Sequence, residues 1–246
     1  MLKIISLVAL VSLPVIAAPA PKMSPLNDAQ KVARFEEAFR VSTIEAGRLK
    51  AMAFSLKNKS VPTLIKVMKG AEFPEKNRWH ATMLLGQVMG KNSAPFIARF
   101  TEHPAWMMRV ASLKALAALD MKQYHAVYSK ALKDPSLIVR VQALDNIAHM
   151  KLVELAPHVW NMMYDQTNYT GSAGKRKRTS IVRSIIRTVG DLKYAPAKPA
   201  LTKLIQKPKY QDLIEDLDYS LESITGKTSP NTDIQARRSY WLATTI

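Results

Sequence analysis

Apolar and polar residues along this chain follow a repeating helical pattern. Apolar positions recur every three or four residues, which places them on one face of an α-helix. Four such stretches each open at an arginine, with intervals of 30, 31 and 31 residues, and a small residue stands three positions later. The arginines are Arg48, Arg78, Arg109 and Arg140, followed by Ala51, Ala81, Ser112 and Ala143. This period predicts an internal structural repeat.

A second, shorter helix is predicted in each repeat. Pro62, Pro95 and Pro157 mark the starts, because the first turn of a helix tolerates a residue without an N–H. A fifth unit is predicted with helices over 180–189 and 196–205, and a last amphipathic helix over 212–224 ends before Gly226. Residues 29–39 predict a capping helix, and no strand with convincing alternation is found. Because one helical hairpin cannot bury its apolar face alone, the hairpins must stack.

The fullest repeat carries a specific motif. Residues 134–143 have the pattern Asp-Pro-x-x-x-Val-Arg-x-x-Ala, and the tail contains residues 221–227, Asp233 and Tyr240-Trp241. In these features the chain resembles bacterial HEAT-repeat proteins over roughly residues 45–246. The resemblance implies that the repeated arginines are structural and that the second helices line the partner-binding side. We therefore expect residues 29–246 to form an all-α, right-handed α-solenoid of about five HEAT-like hairpins with an N-terminal capping helix.

The first seventeen residues have the pattern of an export signal. Lys3 precedes an apolar run over 4–13, Pro14 ends the run, and Ala17 stands at a position that a signal peptidase reads. The run is shorter than the roughly 20 residues that span a bilayer. We expect residues 1–17 to be a signal peptide and residues 18–28 a Pro-rich linker. The mature protein would be periplasmic or secreted, with no integral membrane segment.

Composition and charge narrow the functional classes. The chain has 246 residues, no cysteine and a formal net charge of +17. The lack of cysteine excludes a disulfide scaffold, a thiolate metal site and a cysteine nucleophile. The charge is uneven, since residues 48–100 and residues 165–207 each carry ten basic and two acidic residues. Basic blocks of this kind favour anionic partners, because positive potential raises their encounter rate and affinity.

Cations recur at one position of the second helices. Lys66 and Arg99 each stand four residues after the helix-starting proline, and Lys130 and Lys203 hold the matching position in later units. At 100° per residue this position points away from the apolar side, so stacked units would align the cations in a column. The binding residues predicted on this face are Lys57, Lys59, Lys66, Lys69, Arg99, Lys130 and Lys203. The alternative is a solvated face that only keeps the solenoid soluble.

A polar insert separates the fourth unit from the fifth. Residues 165–178 form a longer connection than the other turns, contain glycine and serine, and end in four cations. We interpret Lys175, Arg176, Lys177 and Arg178 as an anion-binding corner or as part of a mobile loop without a partner.

Catalytic and metal-binding patterns find little support. The five histidines never stand four residues apart, the spacing that lets one helix face hold a metal. Glu215, Asp218 and Glu222 share a helix face, and we interpret them as a solvated stripe. HEAT-like folds include enzymes, notably bilin lyases and a group of DNA glycosylases, but none of their catalytic signatures can be placed in this chain. We predict no catalytic residue, no cofactor and no metal site.

These features together predict a non-catalytic binding scaffold of the cell envelope. Its basic face would engage an acidic protein, with anionic polymers or lipid head groups as further candidates. Nucleic acid is disfavoured, because only 7% of residues are aromatic and none alternates with the basic positions. The alternatives are an accessory or inhibitor subunit of one secreted enzyme, and a lipid-surface or nucleic-acid binder held by charge alone.

Overall fold

The structure is a computed structural model that describes residues 26–172, 175–178, 180–230 and 233–244, and for residues 170–178 only the backbone. The predicted signal peptide and residues 18–25 of the predicted linker lie outside the described residues. Over the ranges just given, no helix combines the length and the apolar character that crossing a membrane requires.

Longer first helices alternate with shorter second helices along the chain. The capping helix α1 spans Asp28–Ala38. The first helices are α2 (Ala46–Leu56), α4 (Glu75–Met89), α6 (Trp106–Ala118), α8 (Leu137–Met150), α10 (Ile181–Asp191) and α12 (Ile214–Thr225). The second helices are α3 (Val61–Lys69), α5 (Ala94–Arg99), α7 (His125–Ala131), α9 (Ala156–Asn161), α11 (Lys198–Ile205) and α13 (Ile234–Ala243). The tail helix α13 completes a sixth hairpin beyond the about five that the sequence predicts.

Consecutive first helices stack in register. Each first helix packs against the next one, and each second helix from α3 to α11 packs against the first helix that follows it. Asn146 of α8 donates to the carbonyl of Leu113 in α6 at 2.8 Å, and Ser220 of α12 donates to the carbonyl of Ile186 in α10 at 2.7 Å. These bonds join residues that are 33 and 34 positions apart in the chain, close to the repeat period. The predicted all-α solenoid is confirmed, and one apolar core runs from Phe35 to Trp241.

The chain reverses after every first helix through a residue with positive φ. Among the described residues, six have positive φ: Lys57, Gly90, Asp120, Lys151, Lys193 and Gly226. Each lies within two residues of the end of a first helix, where this conformation satisfies the last carbonyls of the helix. The amide of Leu152, for example, donates to the carbonyl of Ile147 at 3.0 Å. We call the edge of the solenoid where these turns lie the turn edge, and the opposite edge, where second helices lead to the next unit, the loop edge.

The insert between α9 and α10 contains a β-hairpin, where the sequence predicts a loop. Strand β1 (Tyr169–Ser172) pairs antiparallel with β2 (Lys175–Arg178), with Tyr169 opposite Arg178. The two strands are joined by main-chain pairing, which does not require apolar and polar side chains to alternate. This segment therefore lacks the pattern by which strands are predicted from sequence. The side chains of Lys175, Arg176, Lys177 and Arg178 lie outside the described residues, and the anion-binding corner stays a prediction.

The acidic side of α12 is not a solvated stripe, so that interpretation is wrong for Asp218. Asp218 is only 7% exposed. Its carboxylate accepts hydrogen bonds from the indole N–H of Trp241 at 2.6 Å and from the hydroxyl of Ser229 at 2.9 Å. Glu222 accepts the backbone N–H of Ser229 at 2.7 Å. The tail helix α13 therefore returns to cover α12, and Asp218 is the buried acceptor that fixes it.

Candidate functional site

Three of the four repeat arginines form a structural ladder along the loop edge. Each reaches the loop that precedes the next first helix. The pairs are Arg78 with His103 Nε2 at 3.0 Å, Arg109 with both oxygens of Asp134 at 2.7 Å, and Arg140 with Asn168 Oδ1 at 3.0 Å. The side chains of Arg109 and Asp134 are only 12% and 10% exposed, so that charge is neutralised inside the protein. The predicted structural role is confirmed for Arg78, Arg109 and Arg140.

Arg48 does not join this ladder, and its predicted structural role is wrong. The next residue, Leu49, is fully buried and takes the inward position on α2, which leaves Arg48 exposed. Arg48 lines a groove of about 1000 Å³ between α1 and α2, together with Arg34 and Met52. The register explains the departure, because Arg78, Arg109 and Arg140 are the fourth residues of their helices whereas Arg48 is the third residue of α2.

Seven of the predicted binding residues have side chains that the structure describes, and these seven are exposed on the second helices or on the turns that lead into them. Lys57 and Lys59 precede α3, Lys66 and Lys69 lie on α3, and Arg99 ends α5; Lys130 lies on α7 and Lys203 on α11. We call these seven residues the basic second-helix face. On α9 the matching position is the uncharged Asn161.

Carboxylates of the preceding unit neutralise part of the basic second-helix face. The pairs are Lys59 with Asp28, Lys66 Nζ with Glu36 Oε1 at 2.6 Å, and Lys130 Nζ with Glu102 Oε1 at 2.6 Å. The hydrogen bond from Lys66 lowers the pKa of Glu36, and the one from Lys59 lowers the pKa of Asp28. Sequence reasoning missed these pairs, although the partners are separated by 31, 30 and 28 residues, close to the repeat period.

A cation–aromatic cluster remains on the same face. Lys69 Nζ lies 5.6 Å from the centroid of the Phe96 ring, which links α3 to α5. Arg99 stands one helical turn after Phe96, and within the described ranges neither Lys69 nor Arg99 has an ion pair. Phe96 is partly buried, with its centroid 5.3 Å from that of Phe100, so the core fixes its position. We call Lys69, Phe96 and Arg99 the cation–aromatic cluster.

Histidine and carboxylate groups form no site of known catalytic or metal-binding type in the part of the chain that the structure describes. No group of three or more His, Cys, Asp or Glu side chains there could hold a metal ion. His103 lies within the arginine ladder, and its Nδ1 accepts the backbone N–H of Ala105 at 3.0 Å. Burial, and then the charge of Arg78, lower the pKa of His103.

Comparisons with known proteins give little beyond this architecture. No family model matches the chain, and no curated protein sequence matches it. Among solved structures, the complex of CpcE and CpcF of phycocyanin lyase from Nostoc sp. PCC7120 is similar, with 13% sequence identity and a TM-score of 0.44. The match covers 95% of this chain and 100% of that chain. At this level of likeness, the assignment as a helical-repeat solenoid rests on the stacked hairpins of the chain itself.

Proposed function

We propose that this protein is a non-catalytic binding scaffold of the cell envelope that holds an acidic protein partner on the cation–aromatic cluster. The observation that carries the proposal is the difference between this cluster and its surroundings. Lys59, Lys66 and Lys130 each meet a carboxylate of the protein itself, whereas Lys69 and Arg99 have no ion pair within the described residues. A partner's carboxylates would supply the missing negative charge.

The chemistry of the cluster suits recognition of a protein surface. A guanidinium such as that of Arg99 binds a carboxylate through two parallel hydrogen bonds. The ring of Phe96 holds the Lys69 ammonium by a cation–π contact and offers an apolar surface beside both charges. Arginine and aromatic side chains are the types that dominate the binding energy of protein interfaces. A binding scaffold requires no catalytic group beside these contacts.

The proposed location is the periplasm or the extracellular space. The pattern of residues 1–17 supports export, and the lack of cysteine is compatible with an oxidising compartment. In such a location the formal charge, which falls from +17 to +16 when Lys3 leaves with residues 1–17, would attract acidic proteins without competition from cytoplasmic nucleic acid.

Site-specific photo-crosslinking tests the proposal. A benzophenone amino acid at Phe96 in the full chain, incubated with an envelope extract at 150 mM salt, should give one major adduct with a protein of acidic isoelectric point. Combined Lys69→Glu and Arg99→Glu substitutions should reduce the adduct at least about tenfold, since each charged contact contributes about 1 kcal/mol or more. The same crosslinker at the exposed Ile138, on the loop edge, is the control.

Two outcomes would overturn the proposal. One is an equal adduct after charge reversal, which would show that the cluster does not select the partner. The other is an identical set of adducts from Phe96 and Ile138, which would indicate non-specific contact. If the crosslinked protein is an enzyme whose rate changes on binding, the scaffold is an accessory subunit, as in one of the alternatives from the sequence.

A further inference from the structure

Every turn from a first helix to a second helix carries an exposed lysine. The residues are Lys57 and Lys59, Lys91, Lys122, Lys151, Lys193 and Lys227, in six successive turns. Because the first helices stack in register, their C-terminal ends lie side by side along the turn edge. Helix axes in contact are about 8–10 Å apart. The lysines therefore form a continuous row along one edge of the solenoid, which we call the lysine ridge.

Three of these lysines occupy backbone positions that favour glycine. φ is 51° at Lys57, 54° at Lys151 and 51° at Lys193, whereas Gly90, Asp120 and Gly226 have the positive φ in the other three turns. A side chain is disfavoured at positive φ because its Cβ approaches the following carbonyl oxygen. A cation beside the last carbonyls of a first helix is favoured by the helix dipole, which accounts for part of the preference. A side chain at such a position is an outlier that leads to a hypothesis of function.

Few acidic groups neutralise the lysine ridge. Asp28 pairs with Lys59, and Asp120 pairs with Lys122 at 3.7 Å. Asp191 accepts the hydroxyl of Tyr219, and Glu154 is exposed near Lys151. Within the described ranges, the ridge lysines without an ion pair are Lys57, Lys91, Lys151, Lys193 and Lys227.

The loop edge carries charges of both signs. Every loop that leads into a first helix contains at least one acidic residue, and these include Glu45, Glu72, Glu102, Asp134, Asp165 and Asp212. Glu102, Asp134 and Asp212 are paired with Lys130, Arg109 and Arg183, and the insert adds four cations to the same edge. The turn edge is therefore distinguished by its row of lysines without an ion pair and not by an acidic edge opposite to it.

We propose that the lysine ridge docks the solenoid edge-on to the surface of an anionic phospholipid bilayer. A row of cations along one edge can contact many head groups of an anionic bilayer at once. Val153, two residues after Lys151 and 53% exposed, adds an apolar side chain at the level of the head groups. Lys69 and Arg99 end α3 and α5 at the loop edge, so in this orientation the cation–aromatic cluster stands away from the bilayer and stays open to a protein partner.

Vesicle flotation of the full chain tests this inference. The probe is vesicles of 30 mol% phosphatidylglycerol in phosphatidylcholine, with pure phosphatidylcholine as the reference, at 100 mM salt. The test variant combines Lys57→Gly, Lys151→Gly and Lys193→Gly, and the control removes the same charge from the first helices by Lys50→Gln, Lys76→Gln and Lys114→Gln. Since each lysine near an anionic membrane contributes about fivefold to binding, the test variant, which lacks three, should bind roughly 100-fold more weakly and the control no more than about tenfold.

The glycine variant also separates binding from folding. Glycine relieves the left-handed backbone, so the test variant should unfold at the same or a higher temperature than the wild type while it binds vesicles more weakly. Equal losses in the test and control variants would overturn the proposal, because net charge alone would then explain binding. Failure to float with anionic vesicles, or binding to soluble polyphosphate in preference to vesicles, would also overturn it. These outcomes do not bear on protein binding at the cation–aromatic cluster, which the crosslinking experiment tests separately.

Discussion

At the scale of single residues, the environment of a charged side chain decides its role. Arg99 and Arg109 stand only ten residues apart, yet Arg109 is held by Asp134 while Arg99 is exposed without an ion pair within the described residues. The resemblance to HEAT-repeat proteins predicts the structural role of Arg109. It does not predict that Arg48 is exposed, since Leu49 and not Arg48 is the fourth residue of α2, the position that the ladder arginines hold in their own helices.

His103 makes the stability of the arginine ladder sensitive to acid. Its ring nitrogens face two donors, Arg78 and the backbone N–H of Ala105, and Arg109 also lies near. Burial lowers the pKa of His103 below its ordinary value of 6.5 in the folded protein. The unfolded chain therefore takes up a proton first as the pH falls, so the stabilising contribution is complete above pH 6.5 and is lost below it.

A His103→Asn variant isolates this contribution. The unfolding free energy of the wild type should decline between pH 7.5 and 5.5, by no more than about 1.4 kcal/mol per pH unit from this one proton. The variant should show a shallower decline, because asparagine stands at the matching ladder position, Asn168, and does not titrate. His80, whose pKa burial also lowers, remains in both proteins and gives a common background. Parallel pH profiles from urea unfolding would contradict the assignment to His103.

At the scale of helices and turns, helix starts can be predicted from local residues, whereas elements that depend on tertiary contacts cannot. Pro62, Pro95 and Pro157 mark the first turns of α3, α5 and α9 as expected. The sequence does not predict α13, whose burial depends on the contact of Trp241 with Asp218, 23 residues earlier. It also does not predict the positive φ of Lys57, Lys151 and Lys193, because glycine is the residue type from which a positive φ is inferred.

Helices α10 and α12 approach each other closely at a glycine, Gly190. A Cβ at Gly190 would lie 2.8 Å from the backbone Cα of Ser220, whereas a Cβ at Gly47 in α2 would meet nothing within 4 Å. Gly190→Ala should therefore destabilise the protein by about 1–3 kcal/mol, as overpacking does. Gly47→Ala should stabilise it by up to about 1 kcal/mol, because alanine is the better helix former. Thermal unfolding of both variants checks the pair, and an unchanged midpoint for Gly190→Ala would contradict the in-register contact.

At the scale of the whole molecule, repetition converts sequence periods into surfaces. The basic second-helix face was predictable because matching positions align when hairpins stack. Its partial neutralisation was not predicted, since Glu36 and Glu102 act across unit boundaries that a single helix pattern does not show. The lysine ridge likewise exists only once six turns share an edge. Both proposed surfaces therefore depend on the in-register stack.

Distances along the turn edge test that stack most directly. The chain has no cysteine, so pairs of cysteines at Lys91, Lys151 and Lys193 would carry spin labels at chosen positions only. In-register stacking predicts backbone separations of roughly 16–20 Å for 91–151 and roughly 24–30 Å for 91–193, two and three units apart, to which the label linkers add width. Pulsed electron paramagnetic resonance should show this stepwise increase. A 91–193 distance equal to or shorter than the 91–151 distance would contradict the aligned turns and, with them, both surfaces.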